Sequence, residues 1–190
     1  MDAKAVINLG LAELGATVSN IDPPVSTLEK HVASGYPQWK KSELTKRRWV
    51  FANKFATLNR NLVHAVPADY PYAFDLPGDQ LRLIRAKGSK WIRSGDVILH
   101  TSDTLAIEYT ADVPEHKCDA LFIDALALRV AMASVEKVTQ SNVKASVLER
   151  RYKDAIREAG VQNALIIGPE NDELADEDDT WHTARYGYGV

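Results

Sequence analysis

The residues able to do chemistry are scattered along this chain. Its five histidines, His31, His64, His100, His116 and His182, fall one to a segment, and none belongs to an H-E-x-x-H helix that would hold zinc on one face. No G-x-S-x-G elbow presents a serine nucleophile, and no glycine-rich loop ends in Lys-Ser or Lys-Thr to cradle phosphates. Cys118 is the only cysteine, so no disulfide can form within the chain; a free thiol of this kind is expected as a buried apolar residue on a helix, not as a nucleophile. A glycosidase pair needs two carboxyl groups held about 5 to 10 Å apart across a sugar. The acidic run at 176–179 is a poor source of one, because catalysis needs rigid placement. The expectation is therefore no catalytic, cofactor-binding or metal site and no enzymatic activity.

Charge is distributed with more purpose. The total is −3, yet residues 169–190 hold seven acids against Arg185 alone, which is −6 and leaves +3 on the rest. Lys40, Lys41, Lys46, Arg47 and Arg48 stand in one short stretch, and Arg82, Arg85, Lys87, Lys90 and Arg93 form a looser second group. Such patches attract phosphates without reading sequence, but neither makes the strongly basic domain of a nucleic-acid binder. A basic helix end is also favoured by the helix dipole alone. The acidic segment, with the aromatic anchors Trp181, Tyr186 and Tyr188 beside Arg185, reads as an arm that docks on a basic surface: charge sets the rate and salt sensitivity, and the rings set the register. The candidate contact residues are these four and the five cations of the first cluster.

The elements that position these residues follow from periodicity. A first helix should start after Asp2, an N-cap type, and stop at Gly15. Asp22-Pro23-Pro24 makes a stiff connector, and Ser26 with Glu29 has capping-box spacing ahead of a second helix over residues 27–47, where Gly35 and Pro37 predict a kink or a break. From 50 to 110 the pattern turns strand-like, with turns at Pro77-Gly78-Asp79 and Ser94-Gly95 and a strand carrying Leu105, Ile107 and Tyr109 on one side. Helical spacing returns at Val113-Pro114, giving a third helix with Leu121, Ala125, Leu128, Met132 and Val135 in one stripe, widened by Phe122 and Leu126. A last helix should offer Val143, Val147, Tyr152, Ile156 and Ala159 as the matching face, antiparallel to the third. Trp39, Trp49, Phe51 and Phe55 are expected at the seam between helices and strands.

The fold class is thus α+β: an antiparallel helical bundle from residues 1–49 and 113–168, an inserted small antiparallel β-domain at 50–112, and a C-terminal arm at 169–190. No apolar run approaches the roughly 18 to 20 residues of a membrane span, and no secretory pattern opens the chain, which suggests synthesis in the cytosol.

The order of these signals resembles the tail tubular protein A family, the head-to-tail adaptors of short-tailed phages. The likeness is carried by "LAELGA", "PPVSTLE", "RRWVFA", "FDLPGDQLRL", "GDVILHTSDTLAIEYT" and "ALFIDALALRVAMASVEKVTQS", and it extends over nearly the whole chain. The resemblance implies a virion structural protein at the portal vertex, made in the host cytoplasm. Its partners would be itself in a dodecameric ring, the portal protein, the tail nozzle protein and tail fibres, with DNA passing through the channel unread. The readings to weigh against it are a tail-associated polysaccharide or peptidoglycan hydrolase, and a head-completion connector of a long-tailed phage, against which the β-insertion counts.

Overall fold

The computed structural model describes residues 1–87 and 90–167, and within them the fold is mixed α+β, with four α-helices and two small antiparallel sheets. Helix α1 (Ala3–Ala12) is capped by the Asp2 side chain, which accepts from the Ala5 amide at 2.8 Å. The turn that follows it closes at Gly15, whose φ of +73° lies in the left-handed region that glycine occupies without strain. Helix α2 (Thr27–Lys46) begins with the complete Ser26/Glu29 capping box. Glu29 does more than close that box: one carboxylate oxygen accepts from Val25 and Ser26 and the other from Ser19 and Asn20, at 2.8–3.1 Å. The Asp22-Pro23-Pro24 connector is folded back on the helix start by those bonds.

Helix α2 runs unbroken through Pro37, so of the expected kink or break the break does not occur. Pro37 is exposed, and on the solvent side of a helix a missing hydrogen bond is tolerated by gentle bending. Gly35 serves packing, because a Cβ there would lie 2.4 Å from the Trp39 ring. That ring folds back along the helix and meets His31 edge-on at 5.6 Å.

The seven described strands lie between Asn53 and Ala111: β1 (Asn53–Thr57), β2 (Arg60–Asn61), β3 (Tyr72–Asp75), β4 (Gln80–Ala86), β5 (Trp91–Ser94), β6 (Val97–His100) and β7 (Ala106–Ala111). One sheet has the order β1-β7-β4 and the other β2-β3-β6-β5. The Pro77-Gly78-Asp79 turn therefore joins strands of different sheets. Strands β5 and β6 do form the expected hairpin, with Gly95 at φ +62° in its turn.

Pro114 opens a 3-10 turn over Glu115–Lys117, and helix α3 starts only at Ala120 (Ala120–Val138), later than the sequence suggested. Cys118 sits in this connector, half-buried and not on a helix. Burial pushes its thiol up to about 11, so it is protonated at neutral pH. Helix α4 (Asn142–Ile166) returns antiparallel: Asn163, near its end, bonds to residues 48–50, where Trp49 meets Phe122 of the first turn of α3. The buried face of α4 is Leu148, Tyr152, Ala159, Gly160 and Asn163. Val143 and Val147 point to solvent, 76% and 52% exposed; a face that follows 3.6 residues per turn through 148, 152 and 159 leaves both on the other flank.

Helix α3 is the element that α1, α2 and α4 all touch, and its Phe122, Ala125, Leu126, Ala127, Val130 and Ala131 are buried. One core cluster joins these residues to Phe74, Ile98, Leu105, Ile107 and Tyr109 of the sheets. At the seam Trp49 stacks on Phe51, and both rings meet Phe122 within 5.0–5.1 Å. Phe55, expected there, is 75% exposed on the edge strand β1, where Lys54 is exposed as well and Ala56 only half-buried.

Two measurements probe this packing. A Cβ on Gly10 would stand 2.3 Å from the Ala127 carbonyl oxygen and 3.0 Å from Val130 Cβ, so Gly10→Ala forces α1 off α3 and should cost about 1 to 3 kcal/mol in urea unfolding. The four amide donors hold the Glu29 carboxyl down to about 2. A folded-state value below the unfolded one stabilises above the unfolded value and is lost as pH falls. The melting-temperature advantage of the native chain over Glu29→Gln should be full above about pH 5 and should shrink toward pH 2.

Candidate interaction surface

The five cations singled out from the sequence are brought together on the C-terminal half of α2 and just beyond it; four of them pair with acids of the fold, while Lys41, Lys46 and Arg47 remain exposed. Lys40 lies 3.3 Å from Asp112 and 3.2 Å from Glu115, with Lys41 at 3.7 Å from Asp112. Glu115 also accepts from the Tyr36 hydroxyl at 3.1 Å. Burial and that carboxylate push the Tyr36 phenol far above its ordinary range. Lys46 donates to Glu43 at 2.7 Å and to Tyr152 Oη at 2.9 Å. Arg47 lies over α4 where Gly160 leaves room; a Cβ at 160 would overlap its guanidinium. Arg48 pairs with Glu108 of β7, which also accepts from Asn53 at 2.7 Å.

These pairs hold the strand-bearing segment at both crossings. Trp49 and Arg48 fix the chain as it enters β1, and Lys40 and Lys41 fix it as it leaves β7. From the second basic group, Arg82 donates to the Thr45 carbonyl at 3.2 Å and ties β4 to the same helix. Sequence reading located the cations but not their acids: those of Lys40, Lys41 and Arg48 lie 60 to 75 positions downstream, and that of Lys46 is Glu43, three positions upstream. Trp181, Arg185, Tyr186 and Tyr188 lie outside the described residues, and so does His182.

No family model matches the chain, and no curated protein matches it.

Among the described residues no group of three or more His, Cys, Asp or Glu side chains is placed to hold a metal ion, and no helix is long and apolar enough to cross a membrane. The buried acids Glu29, Glu43 and Glu108 are each occupied by donors of the fold itself. What the surface does offer is apolar: Leu62, Val63 and Val66 in the loop after β2, Trp91 and Ile92 on the edge strand β5, and Val143, Val147, Val161 and Leu165 along α4. The α4 set lies on one flank, since 143 and 161, like 147 and 165, are separated by about five full turns, but it forms two apolar ends about 21 Å apart with the exposed Arg150, Asp154 and Arg157 between them.

The latch and docking roles of Arg48 separate by stability. Glu108 is buried, so Arg48→Gln leaves it with Asn53 as its donor and should cost about 2 to 4 kcal/mol. Adding Glu108→Gln should recover much of that loss in a double-mutant cycle. A single variant that melts like the native chain would show that the pair does not hold the fold.

Proposed function

We propose that this chain is a structural adaptor subunit of a phage tail, a ring-forming part between portal and tail nozzle that extends the DNA channel and performs no catalysis. The observation that carries the reading is the exposed apolar groups at the two ends of one flank of α4, Val143 with Val147 and Val161 with Leu165, on a helix already packed by its other face. Exposed apolar groups gathered on a surface are what a neighbouring subunit covers. Exposed apolar groups on the β5 edge and in the loop after β2 supply further, different patches, as a head-to-tail contact between identical copies requires; such contacts close into rings when the rotation allows.

On this reading the helices of residues 1–49 and 113–168 act as one bundle facing the portal. The insertion at 50–112 serves lateral or distal contacts, and residues 169–190 are an arm that orders on assembly. Lys40, Lys41, Lys46 and Arg48 each pair with an acid of the fold, which lowers the charge the α2 cluster offers to that arm. A dodecamer, the nozzle and fibre partners and the portal-vertex location come from the family resemblance. The engaged state of the buried acids supports assembly over glycan hydrolysis, which needs two carboxylates facing an open cleft.

The test is imaging and mass measurement of the purified chain with and without its portal protein. Rings, or rings formed on the portal, are expected, and Val161→Glu with Leu165→Glu should abolish them while leaving the monomer's melt nearly unchanged. A chain that stays monomeric on the portal would overturn the proposal.

A further inference from the structure

Strand β5 is an edge of the β2-β3-β6-β5 sheet, with β6 its only neighbour. All of its residues, Trp91–Ser94, are exposed, the large apolar side chains of Trp91 and Ile92 by 40% and 49%. The ladder decides which of its backbone groups are free. The Asp75 amide donates to the Asn59 carbonyl at 3.2 Å and the Leu76 amide to the Asp96 carbonyl at 3.1 Å. Ala73 and Asp75 therefore bond toward β2, and Tyr72 and Phe74 toward β6, where their partners are His100 and Ile98. That leaves Val97 and Leu99 to bond β5, and these two answer Ser94 and Ile92. The N–H and C=O groups of Trp91 and Arg93 thus point off the open edge, and among the described residues no other backbone group reaches them. Neither a proline nor a bulge blunts this edge.

The edge is complementary to itself. Two copies laid antiparallel can oppose their outward residues in three ways. Arg93 against Arg93 sets like charges face to face, and Trp91 against Trp91 sets Ile92 against Lys90. Trp91 against Arg93 does neither: it closes two hydrogen-bonded pairs, places a guanidinium on an indole twice, and brings Ile92 against Ile92 on the twofold axis. Ile92 lies across from Leu99, on the face of the small Ala73, Val97 and Leu99 cluster, so this register runs the cluster of one copy toward that of the other. Arg93 donates through Nε to its own Gly95 carbonyl at 3.0 Å, a bond at the edge of the guanidinium that stacking on its face does not break. We infer that the chain pairs with a second copy of itself through β5, antiparallel, with Trp91 opposite Arg93 and Ile92 on the axis, joining the two sheets edge to edge. A twofold contact cannot close a one-way ring, so this pairing goes beyond the adaptor reading and does not rest on it.

The experiment is sedimentation of the full chain joined to disulfide trapping. A contact made by one short strand belongs to the weak class, so the native chain should pass from one copy to two between about 5 and 200 µM. Ile92→Lys sets two ammonium groups on the axis and should stay monomeric throughout. Trapping reads the register. The Cα atoms of a non-hydrogen-bonded pair are about 4.5 Å apart, within the about 4.4 to 6.8 Å that a disulfide spans. Ile92→Cys should therefore oxidise to a covalent dimer at least about tenfold faster than Ser94→Cys, whose two copies would be offset by about 13 Å along the strands. Cys118 is common to both variants and cancels. A native chain that is monomeric at the highest concentration, a dimer that Ile92→Lys leaves intact, or equal trapping of the two cysteines would overturn the inference, and trapping decides even if Ile92→Lys folds poorly. Rings on the portal with equal trapping sink only this inference; selective trapping at position 92 without rings sinks only the adaptor reading.

Discussion

The Glu43 carboxylate, with no exposure to solvent, sits where three helices meet and fixes the end of α2. It accepts from Lys46 on its own helix and from the Tyr152 hydroxyl on α4 at 2.8 Å, and it faces Arg129 of α3 at 3.6 Å. Its backbone carbonyl accepts from the Trp49 indole at 3.0 Å. The position of Trp49 then decides the rest: the ring packs on Phe51 and Phe122, and the chain enters β1 with Arg48 aimed at Glu108. A buried charge of this kind is costly to desolvate and contributes little net stability when fully paired, but leaving its partners unmatched is expensive. Its effect is to admit one arrangement of α2 against α3 and α4, and through Trp49 one entry direction for the strands.

The same economy explains why both ends of the strand-bearing segment lie on one helix. A segment that leaves a helix and returns to helices at its other end is best fixed at neighbouring points, and here both points are held by residues of α2 or immediately after it. Entry is set by Arg48 and Trp49; exit is set by Lys40 between Asp112 and Glu115. Helix α3 follows within a few residues, so the aromatic seam and the ion pairs form one boundary. A continuous core through that boundary makes helices and sheets mutually dependent in packing. The bidentate Glu13–Arg151 pair, with one arm at 3.0 Å, adds a tie between the end of α1 and α4.

Local signals were legible because local physics produces them. Asp2 as a cap, the Ser26/Glu29 box, the Gly15 stop, the Gly95 turn and the antiparallel α3/α4 pair all depend on residues a few positions apart. Where tertiary contacts decide, the sequence misled. Pro37 is tolerated because its side of α2 faces water; Val143 and Val147 lose to Leu148 because the buried face of α4 is chosen by α3; Phe55 turns outward because an edge strand has an outer face. Pairing between β3 and β6, and not β4, is invisible to periodicity, which gives strands but not neighbours. Glu29's extra donors come from a connector that has no repeating pattern at all.

The candidate surface shows the same division. A run such as Lys40, Lys41, Lys46, Arg47 and Arg48 looks like a free basic patch when its acids are distant in sequence, and composition cannot tell a latch from a docking site. With Lys40, Lys41, Lys46 and Arg48 engaged, what distinguishes the exterior is apolar: the two ends of one flank of α4, the β5 edge and the loop after β2. Burial of apolar groups depends far less on ionic strength than pairing between exposed charges, so contacts made through these groups would persist at salt concentrations that screen surface ion pairs such as Lys153–Glu149 and Arg157–Asp154.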